Sequence, residues 1–139
     1  MKEEIQKKYI ELQLLNQQIK QIQEQYMLMQ RQINELAALE NNLMELKNTS
    51  RESEMFSSLG SGVYVANKLA DNGKVLVNVG NGVLVEKELS EAVILVKNQI
   101  GELGKAVENI REQLVKASMH NDELTNEVNE MVQKEQGKK

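Results

Sequence analysis

Few residues in this 139-residue chain are equipped for chemistry. There is one histidine, His120, and no cysteine. That removes thiolate catalysis, disulfides and two-histidine metal sites together. Glu127 and Glu130 lie one helical turn apart and would make a carboxylate pair. No nucleophile, base or metal ligand is spaced to work with them, so no catalytic and no metal-binding residue is assigned. Gly60-Ser61-Gly62 and Gly80-Asn81-Gly82 have the composition of phosphate-cradling loops. Neither opens a helix or carries the partner lysine of a P-loop, so both read as hairpin turns and no cofactor is expected. The sequence therefore predicts no enzyme and turns attention to the elements themselves.

Composition narrows the class further. Aromatic residues make up 3% of the chain and proline is absent. Large rings bury the most area per residue, so a conventional core is not the plan. Without proline, nothing interrupts a long helix. The net charge of −4 argues against general nucleic-acid binding, which needs a basic surface. The opening Met1-Lys2-Glu3-Glu4 lacks the apolar stretch of a signal peptide, and no apolar run is long enough to span a bilayer. These features predict a cytoplasmic protein without a membrane partner.

The chain divides into an N-terminal helix over 1–52, two β-hairpins over 53–88, a C-terminal helix over 89–135 and a disordered tail over 136–139. In the first segment apolar residues recur at Ile5, Tyr9, Leu12, Leu15, Ile19, Ile22, Tyr26, Met29, Ile33, Leu36, Leu39, Leu43 and Leu46. Their alternating steps of three and four define a coiled-coil seam. Two consecutive steps of three, around Leu12–Leu15 and Leu36–Leu39, predict stammers that overwind the supercoil. The last segment alternates without a break from Leu89 to Met131 through Val96, Ile110 and Asn121. Ser90 is placed as its N-cap. Gly101 and Gly104 interrupt its good helix formers and mark either a flexible point or the close passage of another backbone.

Between the helices the period changes to two. Val63, Tyr64 and Val65, then Val75, Leu76, Val77 and Val79, then Val83, Leu84 and Val85 read as strands, and Met55–Leu59 completes a set of four. Gly-x-Gly-Val-x-Val occurs at Gly60 and again at Gly80. Two equivalent hairpins, joined through Asp71-Asn72-Gly73, follow. The helices are of similar length and should fold back antiparallel, each about 70 Å long. Residue i should then face a residue near 140 − i, which places Ile19 near Asn121 and Leu46 near Val93. Isolated hairpins are marginal in water, and unpaired apolar edges aggregate. The strands named above are thus expected to be finished by strands of other subunits.

Helix, two Gly-x-Gly hairpins, helix resembles the prefoldin family, alpha class of archaeal type. Leu59-Gly60-Ser61-Gly62-Val63-Tyr64-Val65 and Val77-Asn78-Val79-Gly80-Asn81-Gly82-Val83-Leu84-Val85-Glu86-Lys87 carry the resemblance. Met55-Phe56-Ser57-Ser58-Leu59 departs from the more aliphatic, proline-containing first strand usual in such proteins. The resemblance implies an α+β fold, a long antiparallel coiled-coil hairpin whose strands join an intersubunit β-barrel. It implies a hexamer of two alpha and four prefoldin beta subunits. It also implies an ATP-independent holdase that captures non-native client proteins and passes them to a group II chaperonin.

A binder of many unfolded segments needs adaptable apolar groups at mobile ends, a role that suits methionine. Near the helix ends, Ile10, Leu14 and Met119 sit beside the seam. Ile5, Tyr9, Leu124, Val128 and Met131 sit on it and become available if the last turns splay. Met1 belongs with them. These are the candidate client-binding residues. A structural coiled-coil scaffold or tether with one defined partner is the alternative reading.

Overall fold

The computed structural model describes residues 2–137. The elements are α1 (Lys2–Lys47), β1 (Glu54–Gly60), β2 (Val63–Lys68), β3 (Lys74–Asn78), β4 (Leu84–Glu88) and α2 (Leu89–Gly137). Met1, Lys138 and Lys139 lie outside the described residues. By their contacts the residues form two units, one of Ile33–Glu102 and one comprising the chain up to Gln32 and from Leu103. They are called here the hairpin unit and the helical unit.

The hairpin unit holds two separate antiparallel two-stranded sheets, β1-β2 and β3-β4. Their turns repeat each other. Gly60, Ser61 and Gly62 take φ of 111°, 47° and 82°; Gly80, Asn81 and Gly82 take 118°, 52° and 73°. The 20-residue sequence repeat is therefore a conformational repeat. In both turns the two central residues have positive φ, the requirement that makes Asn-Gly the favoured pair. The first strand, for all its unusual sequence, pairs along its length, with Met55 opposite Asn67 and Ser57 opposite Val65. A register shift between Ser58 and Gly60 leaves Leu59 as the bulge. Val79 and Val83, expected as strand residues, lie just beyond the ends of β3 and β4. Val79 N–H still donates to Val83 O at 3.0 Å, and Val83 N–H closes the turn onto Gly80 O.

The core of this unit is Leu43 from α1 with Leu89, Ala92 and Val96 from α2; Val75 and Val77 of β3 pack against it. Strand periodicity turns Val75 and Val77 inward and leaves Leu76 facing away, 66% exposed. Both faces of β3 are apolar, as the sequence predicts, but only one is covered.

The helix ends follow local hydrogen bonding more than propensity. α1 stops at Lys47, five residues earlier than predicted. Thr49 Oγ1 donates to Glu45 O at 2.7 Å, and Asn72 Nδ2 reaches across to Thr49 O at 2.8 Å and Lys47 O at 3.4 Å. Of these acceptors, Lys47 O is a last-turn carbonyl that the helix leaves open. At the other end β4 runs straight into α2 with no linking residue. Ser90 is consequently inside the first turn and is not the N-cap; the N–H of Leu89 is taken by Gly73 O at 2.8 Å. α2 then continues to Gly137, so Gln136 and Gly137 are helical and not part of a tail. Nothing lies within 4 Å of a Cβ built at Gly101 or Gly104, which removes close passage of another backbone as their reason.

In the helical unit the two helices run antiparallel, with Lys8 beside Glu127 and Asn16 beside Asn121. Asn121 thus meets Asn16, one turn from the expected Ile19. The seam of α2 runs as predicted. That of α1 differs at one position in each unit: Lys8 is half-buried while Tyr9 is 48% exposed, and Glu40 is half-buried while Leu39 is 42% exposed. With Lys8 and Glu40 on the seam, threes and fours alternate from Ile5 to Leu43 and neither expected stammer is needed.

Candidate functional site

Among the described residues no group of His, Cys, Asp and Glu could hold a metal ion, and no helix is long and apolar enough to cross a membrane. What both units present is apolar surface.

The largest concentration is on the hairpins. Phe56 is 72% exposed, and Leu59, Val63, Tyr64, Val65, Val79, Val83, Leu84 and Val85 are exposed with it. Each strand has one edge paired within its hairpin and one edge unpaired. Apolar surface this dense, with free N–H and C=O groups along it, is the pattern of an interface. Between β3 and the helices a groove of about 690 Å³ is lined by Leu39, Leu43, Val75, Val77, Leu95 and Val96. Of the ten strand residues expected to join other subunits, Val75 and Val77 face the core of their own chain, and the other eight face outward.

A second apolar surface lies on the helical unit near the chain termini. Tyr9, Ile10, Leu14 and Met119 are exposed. Ile5 and Met131 are half-buried. Leu124 and Val128 are seam residues, Val128 being only 2% exposed. The eight described candidates therefore divide into four available side chains, two partly available and two closed; Met1 lies outside the described residues. Leu14 borders a shallow hollow of about 240 Å³ with Glu11, Gln18, His120 and Leu124. His120 is exposed, and its side chain makes no hydrogen bond among the described residues.

The seam beneath these residues is unusually polar. Lys8 Nζ donates to Glu127 Oε2 at 2.6 Å. This hydrogen bond, and then the charge of Glu127, hold the ammonium pKa above the ordinary lysine value, with smaller help from Glu11 and Glu4. Glu127 is therefore half of an ion pair, not of a carboxylate pair with Glu130. Two turns along α1, Asn121 Nδ2 donates to Asn16 Oδ1. A polar pair at a seam position weakens a coiled coil while fixing its register.

Sequence reasoning missed Met27, Leu28 and Val115, all exposed on the same unit. A signal was present. Tyr26-Met27-Leu28-Met29 is four apolar residues in a row, and a helix can turn only its first and last toward one seam.

The comparisons with known proteins agree with this architecture. The family model described as prefoldin subunit matches residues 15–134. Prefoldin subunit alpha of Methanococcus vannielii is 32% identical over 118 residues, 85% of this chain and 79% of that one. Prefoldin subunit alpha of Archaeoglobus fulgidus is 32% identical over 142 aligned positions, 95% and 96% of the two chains. Among solved structures, the filamentous prefoldin of Methanocaldococcus jannaschii, determined by cryo-electron microscopy, superposes with a TM-score of 0.73 at 21% identity. That match covers 84% of this chain and 96% of the other. Two long helices with two small strand pairs between them, family match over most of the length and alpha-type relatives point one way: the chain belongs to the prefoldin family of chaperones.

Proposed function

We propose that this chain is the alpha-type subunit of an ATP-independent holdase. Its hairpins join those of beta subunits in a cytoplasmic hexamer of two alpha and four beta chains. The helix ends capture unfolded polypeptides and release them to a group II chaperonin. The observation that carries the capture step is the exposure of Ile10, Leu14 and Met119 beside a seam that does not use them. Side chains exposed beside the seam cost the subunit little internal stability when they engage a client. Tyr9 extends the same surface, because Lys8 takes its place on the seam. Ile5, Leu124, Val128 and Met131 join only on splaying of the terminal turns, which the Asn16–Asn121 and Lys8–Glu127 pairs make less costly than an all-apolar seam would.

The test is suppression of aggregation of a chemically denatured protein by the assembled complex at stoichiometric ratio without nucleotide. Replacing Ile10, Leu14 and Met119 together with serine should abolish most of the suppression and leave the hexamer intact by native mass spectrometry. Photo-crosslinks from a denatured client should fall on 1–15 and 117–135. Crosslinks confined to the hairpins, or undiminished suppression by the triple variant, would overturn the capture step. Failure of the wild-type complex to suppress aggregation would leave the tether with one defined partner as the better account.

A further inference from the structure

The chain contains the dipeptide Asn-Gly twice, at Asn72-Gly73 and Asn81-Gly82. Asparagine before glycine is the pairing most open to intramolecular attack, because no side chain shields the following amide nitrogen. The two sites are held very differently. Asn72 Nδ2 donates to Thr49 O at 2.8 Å and to Lys47 O at 3.4 Å, and the N–H of Gly73 donates to Asp71 Oδ1 at 2.7 Å. Electrophile and nucleophile at this site are both engaged elsewhere. Asn81 is exposed at the tip of the β3-β4 turn, and its side chain makes no hydrogen bond among the described residues. Nothing lies within 4 Å of a Cβ built at Gly82.

We propose that Asn81 is a site of spontaneous deamidation and that Asn72, the same dipeptide, is protected by its hydrogen bonds. Hydroxide removes the proton of the Gly82 amide, and that nitrogen attacks Cγ of Asn81. A new C–N bond closes a five-membered imide, the Cγ–Nδ2 bond breaks, and ammonia leaves. Water then opens the ring at either carbonyl, giving aspartate or isoaspartate. The net change is asparagine plus water to acid plus ammonia, with no oxidant or reductant.

The product matters because of where it forms. Aspartate puts a negative charge on a turn whose flanks, Val79 and Val83, are apolar and exposed. Isoaspartate adds a backbone carbon to a turn closed by the Val83 N–H to Gly80 O bond, and so disturbs the register that pairs Asn78 with Leu84. Ageing chemistry would therefore strike the β3-β4 face and spare the joint between α1, α2 and the strand connection.

The test is peptide mapping of the full chain incubated folded and in urea at mildly alkaline pH. In the folded chain the peptide carrying Asn81 should become one mass unit heavier and score as isoaspartate. The peptide carrying Asn72 should convert at least about tenfold more slowly, the penalty for opening one hydrogen bond. In urea the two rates should converge. Asp71→Ala, which frees the Gly73 N–H, should speed Asn72 in the folded chain and leave Asn81 unchanged. Equal rates in the folded chain, faster conversion of Asn72, or an Asn81 that converts in urea but never in the folded chain would overturn the proposal.

Discussion

The hairpin unit and the helical unit use the same two helices and hold them by opposite means. In the hairpin unit the buried residues are contiguous: Leu43, Leu89, Ala92 and Val96, roofed by Val75 and Val77. In the helical unit buried Leu15, Leu124 and Val128 share the seam with Asn121 and Lys8, whose partners Asn16 and Glu127 are exposed at its edge. One region is built to stay closed. The other carries polar groups that lose little on meeting water, and so is the cheaper of the two to open. The lesson is that a continuous helix need not be uniformly stable; its partner residues grade it.

The largest effect should come from damage to the contiguous core. Leu43→Ala should cost about 3 kcal/mol, because it leaves a cavity that neighbours on three elements cannot all fill. Leu15→Ala, equally buried but on a single line of contacts, should cost about 2 kcal/mol, since an exposed seam relaxes more readily. Denaturant melts of the two variants check the ordering, and a reversed order would break the contrast. The next effect runs the other way. Asn121→Leu should stabilise the helical unit by about 1 kcal/mol, because it puts an apolar side chain on the seam in place of a polar one. Hydrogen exchange in the terminal turns should slow, and client capture should weaken with it.

A smaller gain is expected at the first hairpin turn. Ser61 sits at φ 47°, where its counterpart in the second turn is Asn81. Ser61→Asn should stabilise that hairpin by about 0.5 kcal/mol, because asparagine tolerates the left-handed region better than serine; a shift in melting temperature of the assembled complex would report it. The smallest effect concerns pH. The pKa of Lys8 is raised in the folded chain by Glu127. Its contribution is therefore complete at neutral pH and up to the ordinary lysine range, and is lost as pH climbs through the folded value. Lys8→Met should remove that alkaline loss from the stability profile of the helical unit. Being exposed, the pair is expected to shift the profile only slightly.

How much of this was legible depended on whether a residue's fate was decided locally. The seam of α2 was readable because its apolar residues alternate without a break and nothing opposite displaces them. In α1 the pattern offered Tyr9 and Leu39, and the protein uses Lys8 and Glu40. Hydrophobicity cannot reveal that Glu127 waits across the seam to make a lysine welcome. The same blindness hid the partner of Asn121. The two hairpins were legible because Gly-x-Gly turns are local devices. The Ser90 cap misled because a strand flows into the helix there and a distant carbonyl, Gly73 O, does the capping. Among the candidate capture residues, Ile10, Leu14 and Met119 stood out as apolar surplus beside the seam. Met27 and Leu28 carry the same signal away from the helix ends, as part of four consecutive apolar residues.

The absence of any spacer between Glu88 and Leu89 sets a phase relation between a repeat of two and a repeat of 3.6. Inserting or deleting one residue there would swing every later position of the C-terminal helix by about 100° around its axis. Its entire apolar stripe would point the wrong way. Changes of length are tolerated better where irregular residues separate two elements, as between Lys47 and Glu54. Evolutionary drift in loop size should therefore be found on that side of the molecule, with the opposite junction frozen in length even while its side chains vary.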